Sequence, residues 1–158
     1  MATGQACLCG LIALALAISS SAEPATEASV TIGQFLVQRL PRRASIYHDV
    51  CVSRFPALTQ SFDKAVTQFR GKYDEAVAPV VQKYRVTAQY KMPVPSSLVA
   101  QFDQEENTMR TRLAGVDANS CAKFIENLSQ LDVSRLADQL ESSLSRLAQL
   151  PPGQLEGK

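Results

Sequence analysis

A stripe of apolar residues recurs every three or four positions between residues 58 and 84. Its members are Leu58, Phe62, Ala65, Val66, Phe69, Tyr73, Ala76, Val77, Val80 and Tyr84. This spacing places one apolar face on an α-helix. The phase continues across Pro79, although a proline removes the helical hydrogen bond to the carbonyl of Glu75. We therefore predict one long helix, kinked near Pro79, which reaches Tyr90 if it is uninterrupted.

Two shorter helices are predicted before the long one. The first covers residues 30–40 and ends at Pro41, because the residue before a proline avoids the helical conformation. The second covers residues 45–54, with Ser45 as its N-cap. Tyr47, Val50 and Cys51 lie three and four residues apart, so they share the apolar face of this second helix.

Three further helices are predicted after the long one. The linker at residues 92–95 contains two prolines and cannot continue a helix. Ser96 or Ser97 then caps a helix that ends before Gly115. Its inward residues are predicted to be Leu98, Val99, Phe102, Met109 and Leu113. The last two helices begin at an N-cap within residues 117–120 and at Asp132.

These elements predict an all-α fold, because no segment shows the alternating pattern of a β-strand. We expect an irregular helical bundle built around the long Pro-kinked helix. Residues 23–158 are enough for a single helical domain with a modest core and flexible ends.

The start of the chain is typical of a secretory signal peptide. An apolar run at residues 11–18 is followed by small residues at Ser20 and Ala22, which suit cleavage after residue 22. The alternative is a transmembrane anchor, but residues 6–18 are shorter than the ~20 residues that span a bilayer. We predict a signal peptide over residues 1–22, a periplasmic or secreted location, and no integral membrane segment after cleavage.

Removal of this leader leaves two of the four cysteines, Cys51 and Cys121. In an oxidising compartment such a pair predicts one disulfide. The bond would close a loop of about 70 residues, worth about 4 kcal/mol in the chain-entropy treatment. Two buried free thiols are the alternative.

Several function classes lack support in the sequence. The net charge of +1 gives no strong electrostatic basis for binding nucleic acid or an anionic membrane. The chain contains no Gly-rich phosphate loop, no His-Glu-x-x-His motif and no Gly-x-Ser-x-Gly motif. Its one histidine, His48, lies three residues before Cys51, but two ligands do not make a zinc site. We predict no metal and no cofactor.

Arg39, Arg42 and Arg43 are the densest cluster of cationic donors. Guanidinium groups suit a phosphate, a lipid headgroup or an acidic partner, so this cluster is the candidate site for an anion or a partner. Three arginines around Pro41 are also typical of a solvated loop between helices.

Asp103, Glu105 and Glu106 are the densest acidic run. Neighbouring carboxylates can perform acid–base chemistry or bind a divalent cation. A solvated helix face also explains them, with Glu106 and Arg110 placed for an ion pair within the helix.

Three tyrosines near the expected kink, Tyr73, Tyr84 and Tyr90, either belong to the core or line an apolar groove.

These observations favour an exported, non-catalytic helical protein that acts by binding a protein or a small ligand. One alternative is an inhibitor or chaperone-like accessory protein of an exported partner. Another is an enzyme that uses His48 or the carboxylates of Asp103 and Glu106. The enzyme hypothesis requires a concave site that joins His48 to the acidic run.

Overall fold

The computed structural model describes residues 30–151, and this part of the chain is built from helices. They are α1 (Ile32–Arg54), α2 (Thr59–Tyr84), α3 (Ala88–Lys91), α4 (Ser96–Leu113), α5 (Ala118–Ser129) and α6 (Val133–Ala148), with a 3-10 turn over Pro56–Leu58. The predicted all-α class is confirmed. The signal peptide predicted for residues 1–22 lies outside the described residues, as do residues 23–29 and 152–158 at the ends predicted to be flexible.

The central element is α2, which packs against α1, α5 and α6. Its buried residues all belong to the predicted stripe: Phe62, Ala65, Phe69, Tyr73, Val77, Val80 and Tyr84. The helix is continuous through Pro79, as predicted, and this proline lies on the exposed side. It ends at Tyr84 rather than at Tyr90. A turn follows, and Thr87 then caps the short α3 by accepting a hydrogen bond from the backbone N–H of Tyr90.

The two short helices predicted around Pro41 are one continuous helix, α1, so that prediction is wrong. A proline inside a helix leaves the carbonyl four residues earlier without its N–H donor. Here that carbonyl belongs to Val37, and the hydroxyl of Tyr73 on α2 donates to it at 2.9 Å. A side chain of the neighbouring helix therefore replaces the missing backbone donor, and the helix continues.

Ser45 lies inside α1 and is not an N-cap, which corrects the second boundary predicted there. Its hydroxyl donates to the carbonyl of Pro41 at 3.2 Å and accepts from the guanidinium of Arg70 at 2.6 Å. The short polar side chain thus satisfies backbone in the middle of the helix and links α1 to α2.

The start of α1 is held by a capping box and by the linker before α4. The side chains of Thr31 and Gln34 bond reciprocally to each other's backbone N–H. The N–H of Ile32 donates to the carbonyl of Met92 at 2.9 Å, within a short antiparallel bridge. This pairing holds the linker at residues 92–95 against the start of α1 and therefore fixes where α4 begins.

The N-caps of the last two helices are confirmed, whereas that of α4 is not as predicted. Asp117 accepts from the backbone N–H of Ser120 at 2.7 Å, and this bond lowers the pKa of Asp117. Asp132 accepts from the N–H of Arg135 at 3.1 Å. The cap of α4 is Pro95, which makes no side-chain capping bond, and Ser96 is exposed inside the helix.

Cys51 and Cys121 form a disulfide between α1 and α5, with their Cα atoms 5.9 Å apart. Both are 1% exposed and pack around the fully buried Phe62 of α2. The bridge therefore joins an early helix to a late one across the central helix, as the sequence predicts.

Candidate ligand-binding groove

The helix α4 stands apart from the rest of the bundle. It packs mainly against α1, and Leu113 at its end is its one buried residue. The other positions predicted to point inward are not buried: Leu98, Phe102 and Met109 are half-buried, and Val99 is 39% exposed. That part of the prediction is wrong because α4 faces a gap beside α1 and not the central core.

The gap is an apolar groove of about 460 Å³ between α1 and α4, which we call the α1–α4 groove. Its apolar lining consists of Val30, Phe35, Pro93, Val94, Val99, Phe102 and Met109. Phe35 and Phe102 meet edge to face, with ring centroids 4.5 Å apart. The volume lies within the roughly 300–1,000 Å³ typical of small-molecule sites.

Charged residues from both helices, together with Gln38, form the polar part of the lining. Arg39, Arg42 and Arg43 come from α1, and Glu105 and Glu106 come from α4. On α1, Phe35 and the three arginines share one face because their spacings are three, four, seven and eight residues. The two clusters singled out in the sequence are thus brought together.

Ion pairs connect these clusters across the groove. Arg39 lies 3.3 Å and Arg43 lies 3.6 Å from the same carboxylate oxygen of Glu105. Arg42 binds Glu106 through two nitrogens, and one of these bonds measures 3.1 Å. Arg42 also lies 3.9 Å from Asp103.

Because of these contacts, neither the arginine cluster nor the acidic run is simply a solvated segment. The arginines lie on a continuous helix and not in a solvated loop, and the acidic run meets them from α4. The sequence suggested that Glu106 pairs with Arg110, but in the structure Glu106 pairs with Arg42. The pairs are half exposed except at Glu106, whose side chain is 18% exposed, so each contributes at most about 1 kcal/mol to stability.

His48 occupies a separate polar site between α1 and α2. Its Nε2 lies 2.7 Å from Asp63 and its Nδ1 lies 3.2 Å from Asp49. Burial by itself lowers the pKa of His48, but the hydrogen bonds and charges of both aspartates outweigh it, and the pKa is raised above its ordinary value. The imidazole packs edge to face against Phe62.

The arrangement does not join His48 to the carboxylates that the enzyme hypothesis requires. His48 is bonded to Asp49 and Asp63, whereas Asp103 and Glu106 face Arg42. Within residues 30–151, no group of three or more His, Cys, Asp or Glu side chains is placed to hold a metal ion.

The tyrosines near Pro79 belong to the core, which confirms one of the two interpretations. Tyr73, Tyr84 and Tyr90 are 3%, 9% and 7% exposed and pack in the main hydrophobic cluster. The groove lies elsewhere, and sequence reasoning missed Phe35, Val99 and Phe102 as its lining. A weak signal was present, because α4 has the most polar composition of the longer helices yet keeps apolar residues three apart at Val99 and Phe102.

None of the helices in the described part of the chain combines the length and apolar character that crossing a bilayer requires. No protein family, curated protein or solved structure shows significant similarity to this chain.

Proposed function

We propose that this chain is an exported, non-catalytic binding protein that holds a small apolar ligand in the α1–α4 groove. The observation that carries the proposal is an apolar groove of about 460 Å³ left open to solvent between two helices. Concave, mostly apolar sites with a few charged groups at their edge are the common form of small-molecule sites.

The packing of α4 supports this proposal. In α4, a helix of 18 residues, only Leu113 is buried, so burial of apolar surface against the bundle contributes little stabilising free energy. Exposed apolar residues such as Val99 are normal when scattered singly, but contiguous ones in a concave surface indicate a binding site. A ligand would cover the apolar faces that α1 and α4 leave uncovered.

The chemistry of the charged groups favours binding over catalysis. The carboxylates along the groove are paired with guanidinium groups, which do not exchange protons near neutral pH. The one imidazole of the chain is bonded to two aspartates in a different place.

An exported location fits the same proposal. The sequence pattern over residues 1–22 is typical of a cleaved leader, and disulfides such as Cys51–Cys121 persist mainly in oxidising compartments. We propose that the working protein is periplasmic or secreted.

The test is the binding of a neutral apolar fluorophore, N-phenyl-1-naphthylamine, to the purified protein. We expect saturable fluorescence enhancement on binding. We expect Val99→Trp to weaken binding by about tenfold or more, because the indole ring fills part of the groove. The matched control is Val86→Trp, since Val86 is 69% exposed in the turn after α2 and does not line the groove.

Two results would contradict the proposal. One is the absence of saturable binding to the unmodified protein. The other is equal binding by the Val99→Trp and Val86→Trp variants, which would place the fluorophore outside the groove.

A further inference from the structure

The charges along the α1–α4 groove are unevenly paired. Arg39 and Arg43 both approach one oxygen of Glu105, at 3.3 Å and 3.6 Å, so two guanidinium groups share one carboxylate. Arg42, in contrast, has both oxygens of Glu106 and lies 3.9 Å from Asp103. Among the residues that line the groove, three guanidinium groups face two carboxylates, so one positive charge is unmatched, at the Arg39–Arg43 position, whereas Asp103 lies outside this lining and faces Arg42.

This excess charge lies directly beside the apolar lining. The guanidinium carbon of Arg39 lies 4.6 Å from the centre of the Phe102 ring, which lines the groove. Arg43 follows one helical turn later and also lines the groove. A ligand with its tail on Phe102 and Val99 would thus place its polar end between the two arginines.

The pairing of Arg43 leaves hydrogen-bonding capacity for such a ligand. A guanidinium has five N–H donors, and the nearest nitrogen of Arg43 is 3.6 Å from Glu105, beyond hydrogen-bond distance. Planar guanidinium groups bind carboxylates through two parallel hydrogen bonds. Glu105 is therefore a weak competitor for an external anion at Arg43, although it accepts a hydrogen bond from Arg39 at 3.3 Å.

We infer that the ligand of the α1–α4 groove is a single-chain amphiphile with a monoanionic head group, of which a fatty-acid carboxylate is the simplest example. This inference rests on the function proposed above and specifies its ligand. The apolar lining takes the alkyl chain, and Arg39 and Arg43 bind the head group. One negative charge matches the single excess positive charge at this position.

The experiment compares three ligands with the same ten-carbon chain: decanoate and decylammonium, each below its micelle concentration, and decanol below its solubility limit. Calorimetric titration or displacement of N-phenyl-1-naphthylamine gives the affinities. We expect decanoate to bind at least about tenfold more tightly than decanol, and decylammonium to bind most weakly. The preference for decanoate should shrink at high ionic strength, because the arginines are half exposed.

Two opposite substitutions test the role of the arginines. Arg43→Gln should remove most of the preference for decanoate over decanol. Glu105→Gln should increase decanoate affinity, because it releases both guanidinium groups from their shared partner. Misfolding cannot produce this gain. Arg110→Gln is the matched control for loss of one positive charge, since Arg110 is exposed on α4 outside the groove lining, and it should keep the preference.

The outcomes separate this inference from the proposed function. If decanol and decanoate bind equally well, or if decylammonium binds best, the groove binds apolar ligands but the inference about the head group is wrong. If Glu105→Gln weakens decanoate binding, the inference is also wrong. If none of the three ligands nor the fluorophore binds, the proposed function fails together with it.

Discussion

The carbonyl of Val37 depends on the hydroxyl of Tyr73, and this dependence exists because residue 41 is a proline. The donor that a helix normally supplies to Val37 is missing, and Tyr73 donates instead at 2.9 Å. Val37 and Tyr73 are 8% and 3% exposed, so water does not readily replace the bond. A tyrosine hydroxyl is already protonated at neutral pH, and burial, with a smaller contribution from Asp74, raises the pKa of Tyr73 further, to about 12.

We expect Tyr73→Phe to lower the free energy of unfolding by about 1–3 kcal/mol, the cost of leaving a buried acceptor unsatisfied. In a Pro41→Ala background the backbone N–H of residue 41 supplies the missing bond to Val37. The same Tyr73→Phe substitution should then cost less than about 1 kcal/mol. The coupling energy between the two positions is therefore expected to be about 1–2 kcal/mol.

The assay is urea denaturation of the four proteins of this double-mutant cycle, with the disulfide kept oxidised and the m-values compared. The matched control is Tyr90→Phe, a buried tyrosine whose hydroxyl makes no hydrogen bond within the described residues. We expect it to change stability by less than about 0.5 kcal/mol. An equal cost of Tyr73→Phe in the presence and absence of Pro41 would show that the hydroxyl does not replace the missing backbone donor.

Two further predictions concern a close backbone approach and a titrating group. A Cβ on Gly33 would lie 2.1 Å from the Tyr90 ring, so Gly33→Ala should destabilise the protein by about 1–3 kcal/mol in urea denaturation. Gly71 lies in open space on α2, so Gly71→Ala should stabilise the protein by up to about 1 kcal/mol. The reverse order of the two stabilities would contradict this prediction. Because the pKa of His48 is raised in the folded state, its contribution to stability is fully present below about pH 6.5 and is lost as the pH rises through the folded-state pKa. NMR titration of this single histidine should give a midpoint above about 6.5 that falls in Asp63→Asn, and a midpoint at or below that value would exclude the effect.

Much of the helical architecture follows from the sequence alone, because it depends on residues within one or two turns of each other. The stripe that includes Phe62, Phe69 and Tyr73 has helical spacing wherever α2 lies in the fold. The side chains of Asp117 and Asp132 cap the backbone three residues later, and this requires no other element. The pairing of Cys51 with Cys121 followed from counting, because the predicted leader carries the other two cysteines.

The continuity of α1 was decided only by the tertiary structure. Local rules end a helix before Pro41, and they fail here because Tyr73, which lies 36 residues after Val37 in the sequence, donates to the Val37 carbonyl. Whether a side chain fills such a gap depends on how two helices cross, and residue spacing within one helix does not specify the crossing.

The α1–α4 groove likewise depends on tertiary contacts. Arg42 and Glu106 are 64 residues apart, and each separately looks like part of a solvated face. They meet because the linker at residues 92–95 pairs with the start of α1 and directs α4 alongside that helix. Local periodicity specifies which side of α4 is apolar, but the depth to which Val99 and Phe102 are buried depends on where the rest of the bundle leaves space.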